Sequence, residues 1–200
     1  MSRFHDALRL IASRSVFIVV AFFFPALFSA YGQKNQLVGS TVLIIRHAEK
    51  PASGSSLTPE GFARAQKYAQ YFNPFQGSGE AVRLNALYAG ADSADSMRPR
   101  LTLEPLSRST GIALNTKFST DDPEGLARSL QTETHGDHIL IAWRHKKIPA
   151  LLNALGADAN QILPEGKWPD SVYDWVVVLH FDAAGHLQAQ TLLHEPNPLP

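Results

Sequence analysis

Two histidines in this sequence each follow an arginine at the end of a short apolar run. Thr41-Val42-Leu43-Ile44-Ile45 leads into Arg46-His47, and Ile139-Leu140-Ile141-Ala142-Trp143 leads into Arg144-His145. A further arginine, Arg98, stands directly before Pro99, at a place where a helix can start. An imidazole can act as a nucleophile or carry a proton. Guanidinium groups beside it disfavour its charged form and can hold anionic oxygens in pairs. Drawn into one pocket, these residues would handle an anionic group.

The elements that must position them are legible as an alternation. Short continuous runs rich in β-branched residues are what strands covered on both faces of a parallel sheet look like. After the first run, Thr58 reads as an N-cap and Pro59 as the first helical residue. Phe62, Ala65, Ala69 and Phe72 then recur at helical spacing until Asn73-Pro74. Next come a short strand near Ala86-Tyr88, a helix from about Pro99, an extended piece at Ile112-Leu114 and a helix after Asp122-Pro123. The strand His138-Trp143 and a helix around Pro149-Leu155 follow. This order predicts an α/β three-layer sandwich, with a mostly parallel central sheet and helices on both faces. Val176-Val177-Val178-Leu179 and Leu187 to Leu193, separated by Asp182-Ala183-Ala184-Gly185, predict an antiparallel C-terminal edge hairpin. The Pro-rich last residues are expected to be poorly ordered. In such sheets the ligand lies outside the carboxyl ends of the strands, where both Arg-His pairs fall, so neighbouring strands would share one pocket.

Arg46-His47-Ala48-Glu49-Lys50 resembles the Arg-His-Gly-Glu signature of the histidine phosphatase superfamily, which includes the cofactor-dependent phosphoglycerate mutases. Leu57-Thr58-Pro59-Glu60-Gly61 is similar to that family's Leu-Thr-x-x-Gly helix start. Arg98 with Thr102, Glu104, Pro105 and Leu106 resembles its second arginine helix, and His145 matches its second histidine. The resemblance runs from about Thr41 to Leu155 in the family's order. It implies phosphoryl transfer in which His47 attacks phosphorus and the phosphohistidine is released by water. Arg46 and Arg98 would hold equatorial phosphate oxygens, and His145 would add a donor.

The sequence departs from the family pattern at three points. Ala48 stands where the family has Gly, which is tolerable unless the backbone there needs a positive φ. Gly90-Ala91-Asp92-Ser93-Ala94-Asp95-Ser96 lacks the usual Ser-Pro-Leu pattern. Lys146 follows the second histidine, where the acid-phosphatase branch has Asp. A leaving oxygen of high pKa needs a proton. By the chain order of the mutase-like branch the resemblance directs attention to Asp121, Asp122 or Glu124, with Asp122 the chosen acid; an Asp before Pro123 reads equally as a helix N-cap. Short family members without a dedicated acid act on better leaving groups.

Arg3, Arg9 and Arg14 precede an uncharged apolar run from Val16 to Ala30. That layout predicts a signal peptide over residues 1–32, with cleavage before Gln33 and a histidine phosphatase-like domain over 33–200. The run falls short of the roughly 20 apolar residues of a membrane span and contains Pro25. The protein is therefore expected to be exported, periplasmic or secreted, with no membrane span after cleavage; anchoring by an uncleaved segment is the alternative. The chain has no cysteine, so neither disulfides nor lipoprotein acylation can hold it. It has 18 basic and 18 acidic residues; without Arg3, Arg9, Arg14 and Asp6, 15 and 17 stay, a formal net charge of −2. No basic field steers nucleic acid, so the expected partner is a small phosphorylated substrate drawn in by local cations.

Several residues have plainer readings. Strand alternation turns Arg144 away from His145 and makes it a solvated or ion-paired side chain. The same rule faces Arg46 away from His47 unless the strand end curls, so Arg46 is assigned by resemblance. Lys146 and Lys147 either extend the basic rim or are ordinary exposed lysines. His135, His138, His180, His186 and His194 lack the compact spacing of metal ligands, and neither a metal nor another cofactor is expected. The stretches Trp168-Pro169-Asp170 and Tyr173-Asp174-Trp175 read either as a pocket wall or as an aromatic strand entry. The expected activity is phosphomonoester hydrolysis on a small phosphorylated metabolite or envelope phosphosugar. The alternatives are a phosphate-binding protein with a degenerate site and, less favoured because the Arg98–His145 interval is short for lid insertions, a phosphomutase.

Overall fold

The computed structural model describes residues 35–77 and 79–199. The signal peptide expected over 1–32 lies outside the described residues. Among those described, no helix is long and apolar enough to cross a membrane.

Six strands form one sheet: β1 (Thr41–Arg46), β2 (Ala86–Ala89), β3 (Leu114–Asn115), β4 (His138–Trp143), β5 (Trp175–Phe181) and β6 (Leu187–His194), in the order β3-β2-β4-β1-β5-β6. β1, β2, β3 and β4 are mutually parallel, while β5 pairs antiparallel with both β1 and β6. The predicted three-layer architecture and C-terminal hairpin are present. β1 lies between β4 and β5 and is buried along its whole length, which is why its sequence shows no polar alternation.

The helices are α1 (Pro59–Tyr71), α2 (Arg98–Thr110), α3 (Pro123–Thr132), α4 (Ile148–Ala154) and the short α5 (Ala159–Ile162). Strand side chains alternate between two cores. Val42, Ile44, Ile139, Ile141, Val177 and Leu179 meet Leu126 and Leu130 of α3 and Leu151 and Leu152 of α4 on one face. Leu43, Ile45, Leu140, Val176 and Val178 meet Tyr68 and Phe72 of α1 and Leu103 and Leu106 of α2 on the other.

The chain end corrects an expectation. Residues 195–199 were expected to be poorly ordered, yet Glu195 and Leu199 are buried. Leu199 packs into the core beside α1, the Lys67 ammonium donates to its carbonyl at 2.7 Å, and the Tyr68 hydroxyl donates to Glu195 at 2.6 Å. An apolar anchor and a partnered carboxylate outweigh the tendency of a Pro-rich tail to stay loose.

Candidate active site

The parallel pairing of β1 with β4 sets Arg46 opposite Trp143, so both Arg-His pairs emerge at the same edge of the sheet. His47 N–H donates to the Trp143 carbonyl at 3.0 Å, extending the ladder one residue past the strand. The two imidazoles end up edge to face, with ring centroids 6.1 Å apart.

Arg46 and His47 are each only 1% exposed. His47 Nδ1 lies 2.7 Å from the Ala48 carbonyl oxygen, which can only accept. The ring proton therefore sits on Nδ1, and Nε2 keeps its lone pair. Burial pushes the His47 pKa down to about 3; the Ala48 hydrogen bond opposes this and the charges of Arg46, Arg98 and His145 reinforce it. At neutral pH His47 is an uncharged base. Ala48 has no positive φ, since Glu165 is the sole such non-glycine residue among those described, and its methyl is accommodated.

Arg46 does not turn away from the pocket as strand alternation predicts. Nη1 donates to the carbonyls of Pro169, Asp170 and Val172 at 3.2, 2.8 and 2.8 Å, and the guanidinium lies 3.7 Å over the Tyr173 ring. Nη2 donates to His145 Nδ1 at 3.3 Å. Because a guanidinium only donates, His145 must carry its proton on Nε2, and that edge faces the Asp170 carboxylate. The two histidines thus hold opposite tautomers. Burial and the Arg46 charge lower the His145 pKa to about 4, against the pull of Asp170.

Arg98 opens α2, is buried, and donates through Nη1 to the Gly54 carbonyl at 2.7 Å. Burial lowers its pKa, and the Arg144 charge adds to the effect. Arg144 is half-buried, so it contributes to the cationic side of the site instead of standing alone in solvent. The Nε atoms of Arg46 and Arg98 are buried without a hydrogen-bond partner. A buried donor left unpaired costs about 1–3 kcal/mol, which an anionic oxygen would recover.

The motif spacings acquire physical reasons. Thr102, one helical turn after Arg98, donates to the Arg98 carbonyl at 2.8 Å and accepts from Ala48 N–H at 2.9 Å, tying α2 to the loop that follows His47. A Cβ on Gly61 would sit 2.5 Å from the Glu49 carbonyl oxygen, so only glycine lets α1 approach that loop.

Asp122 is brought to a different place. It is exposed and caps α3, accepting from Gly125 N–H at 3.0 Å. Asp121 pairs with Lys147 at 2.6 Å, and Glu124 is exposed in the first turn of α3. The carboxylate that touches a site histidine is Asp170. The search for an acid missed it because it lies after the second histidine, although the stretch 168–175 carried an aromatic and acidic signal. Tyr173, stacked on Arg46, comes from the same stretch. Among the described residues no group of three or more His, Asp or Glu side chains could hold a metal ion.

No family model matches the sequence, and no curated protein matches it either. Solved structures do. A protein assigned as the phosphohistidine phosphatase SixA of Agrobacterium tumefaciens superposes with a TM-score of 0.50 at 20% identity, covering 79% of this chain and 99% of that one. A protein assigned as an alpha-ribazole-5'-phosphate phosphatase of Escherichia coli gives a TM-score of 0.49 at 12% identity, covering 78% of this chain and 95% of that one. Phosphoglycerate mutase from Plasmodium falciparum gives 0.48 at 14% identity, covering 74% and 87%. The first of these shows the fold: the chain folds like a histidine phosphatase.

Proposed function

We propose that the chain is a phosphomonoester hydrolase that works through a phosphohistidine on His47. The observation that carries the reading is a neutral, buried His47 with Nε2 unprotonated, beside two guanidinium groups whose Nε donors have no partner. Nε2 attacks phosphorus, the bond to the leaving oxygen breaks, and that oxygen takes the bonding electrons. The Nδ1–H to Ala48 carbonyl bond stabilises the positive ring that forms, while Arg46 and Arg98 neutralise the transferring group. Water then attacks phosphorus, releasing inorganic phosphate and restoring the imidazole.

Asp170 is held ionised: burial, the largest single effect, raises its pKa, but the His145 contact and the Lys146 and Lys50 charges together outweigh it and lower it. An ionised carboxylate cannot protonate a leaving group, so the site favours phosphoesters whose leaving oxygen departs without full protonation. As a base, Asp170 suits the water step. Mixing with labelled phosphoester and quenching in alkaline denaturant should place phosphate on the His47 peptide. Turnover without that label, or hydrolysis of p-nitrophenyl phosphate by His47→Ala at the parental rate, would sink the mechanism.

A second reading, phosphate binding without turnover, draws on the Asp170 contact with the Nε2 edge of His145, the donor a phosphate oxygen would take. Phosphate binding by calorimetry with no hydrolysis across aryl and alkyl esters would select it. The N-terminal pattern supports export: the mature protein should begin near Gln33, and recovery of an intact Met1 terminus from the extracytoplasmic fraction would select the anchored alternative.

A further inference from the structure

Next to the paired histidines lies a cavity of about 400 Å³ that extends away from His47, which is not among its lining residues. His145 and the exposed Asp170 line it on the side of the site, Pro149 and the buried Trp168 add apolar wall, and Lys146 and Lys167 line it from two different segments. Lys146 belongs to the 3-10 turn that follows β4, and Lys167 to the loop leading to β5. Both lysines are exposed, and neither has an ion-pair partner among the described residues. Arg64, Arg100, Arg108, Lys117 and Lys147 each have a carboxylate within 4 Å, whereas Lys146 and Lys167 line one cavity without one. Lys50, on the nucleophile loop, acts electrostatically on both His145 and Asp170. The one acid lining the cavity, Asp170, is engaged by His145. The cavity therefore has apolar walls, a side that adjoins the paired histidines and an excess of positive charge, two lysines against one carboxylate. Its size is that of a site for a small organic group.

We infer that this cavity is a second anion subsite, and that the preferred substrate is a compact phosphomonoester whose organic part carries another anionic group, a carboxylate or a second phosphate. The inference rests on the hydrolase reading for its chemistry but not for its binding. With the phosphoryl group held at His47, Arg46 and Arg98, the organic part passes His145 along Pro149 and Trp168, and the second anion meets Lys146 and Lys167. Two solvent-exposed ion pairs of about 0.7 kcal/mol each give about tenfold in affinity.

Calorimetry with non-hydrolysable probes tests this on the mature protein. Ethylphosphonate, 3-phosphonopropionate and ethane-1,2-bisphosphonate, together with their homologues longer by one and two carbons, form three arms with the same reactive end. The carboxylate or the bisphosphonate arm should bind about tenfold tighter than the alkyl arm, and whichever does so identifies the second anion. In Lys146→Ala/Lys167→Ala that advantage should fall to about twofold or less, while ethylphosphonate affinity and the thermal midpoint stay unchanged. Equal binding of all arms by the parent, absence of binding, or an advantage that survives in the double variant would overturn the subsite. Tight dianion binding without a phosphoenzyme on His47 would keep the subsite and remove the hydrolase reading.

Discussion

Among the described residues two buried polar clusters are built to opposite plans. Around His47 the charges are mostly positive, two guanidinium Nε donors lack partners, and the imidazoles are kept neutral. Around Glu195 the groups satisfy one another: Tyr68 and Arg64 both donate to its carboxylate, and Arg64 reaches on to Glu49 at 2.8 Å. Burial still raises the Glu195 pKa to about 7, against the hydrogen bond of Tyr68 and the charge of Arg64. The first cluster is incomplete in a way that an anion would finish. The second centres on a carboxylate that is already paired, leaves Glu49 Oε2 without a partner, and ties the chain end to α1. They meet at Glu49, two residues after His47, so the tail braces the loop on which the proposed chemistry depends.

The largest test of this contrast is Arg98→Ala. If the first cluster is built for an anion, kcat/KM for p-nitrophenyl phosphate should fall about 10²–10³-fold, as for loss of one transition-state donor. The denaturation midpoint should move little. A large loss of stability with activity retained would assign Arg98 to the structural kind.

The two clusters also answer pH with opposite signs. The Glu195 pKa is raised by folding, so its contribution is complete below about 4.5 and is lost as pH rises through about 7. The pKa values of His47 and His145 are depressed, so theirs is present above 6.5 and is lost as pH falls toward 4 and 3. Between pH 5 and 8.5 the Glu195 contribution falls by roughly 2.5 kcal/mol while the two histidines regain more than that, so denaturant titrations of the parent should show stability rising only slightly over this range. Glu195→Gln should steepen that rise by about the amount Glu195 had offset and leave the acid limb in place. An unchanged alkaline slope would mean the carboxylate is not the responsible group.

Asp122→Ala separates cap from acid. The cap predicts a loss of about 1 kcal/mol in unfolding free energy with kcat within twofold of the parent. A drop in kcat of tenfold or more on alkyl phosphates, at unchanged fold, would restore Asp122 as the proton donor. The smallest effect belongs to Asp170→Asn. Removing the carboxylate that competes for His145 should tighten inorganic phosphate binding about two- to fivefold, the range of an exposed ion pair. Weaker binding would show that Asp170 assists the anion instead of displacing it.

Much of the fold was legible because each element carries a local signal. The runs ending at Arg46 and Trp143 have the length and branching of buried strands, and Thr58-Pro59 and Asp122-Pro123 mark helix starts that the structure places at the same residues. The spacing of Arg98 and Thr102 was visible as a pattern, but its reason, a hydroxyl bridging α2 to Ala48, is a contact between segments 54 residues apart. The order of the tail was not legible. Prolines argue for a loose end, and only the assembled surface of α1 offers Glu195 and Leu199 their partners.

By itself the sequence determined which residues could react: a histidine at a strand end, arginines to hold an anion, and a second histidine on a matching strand. Those choices are written in residue type and in short-range pattern, which backbone geometry and burial translate directly into strands and helices. Only the tertiary structure decided the states of those residues. The opposite tautomers of His47 and His145, the turn of Arg46 into the pocket, and the arrival of Asp170 and Tyr173 beside it are set by partners far away in the chain. Such contacts form when the sheet closes, and no local pattern encodes them.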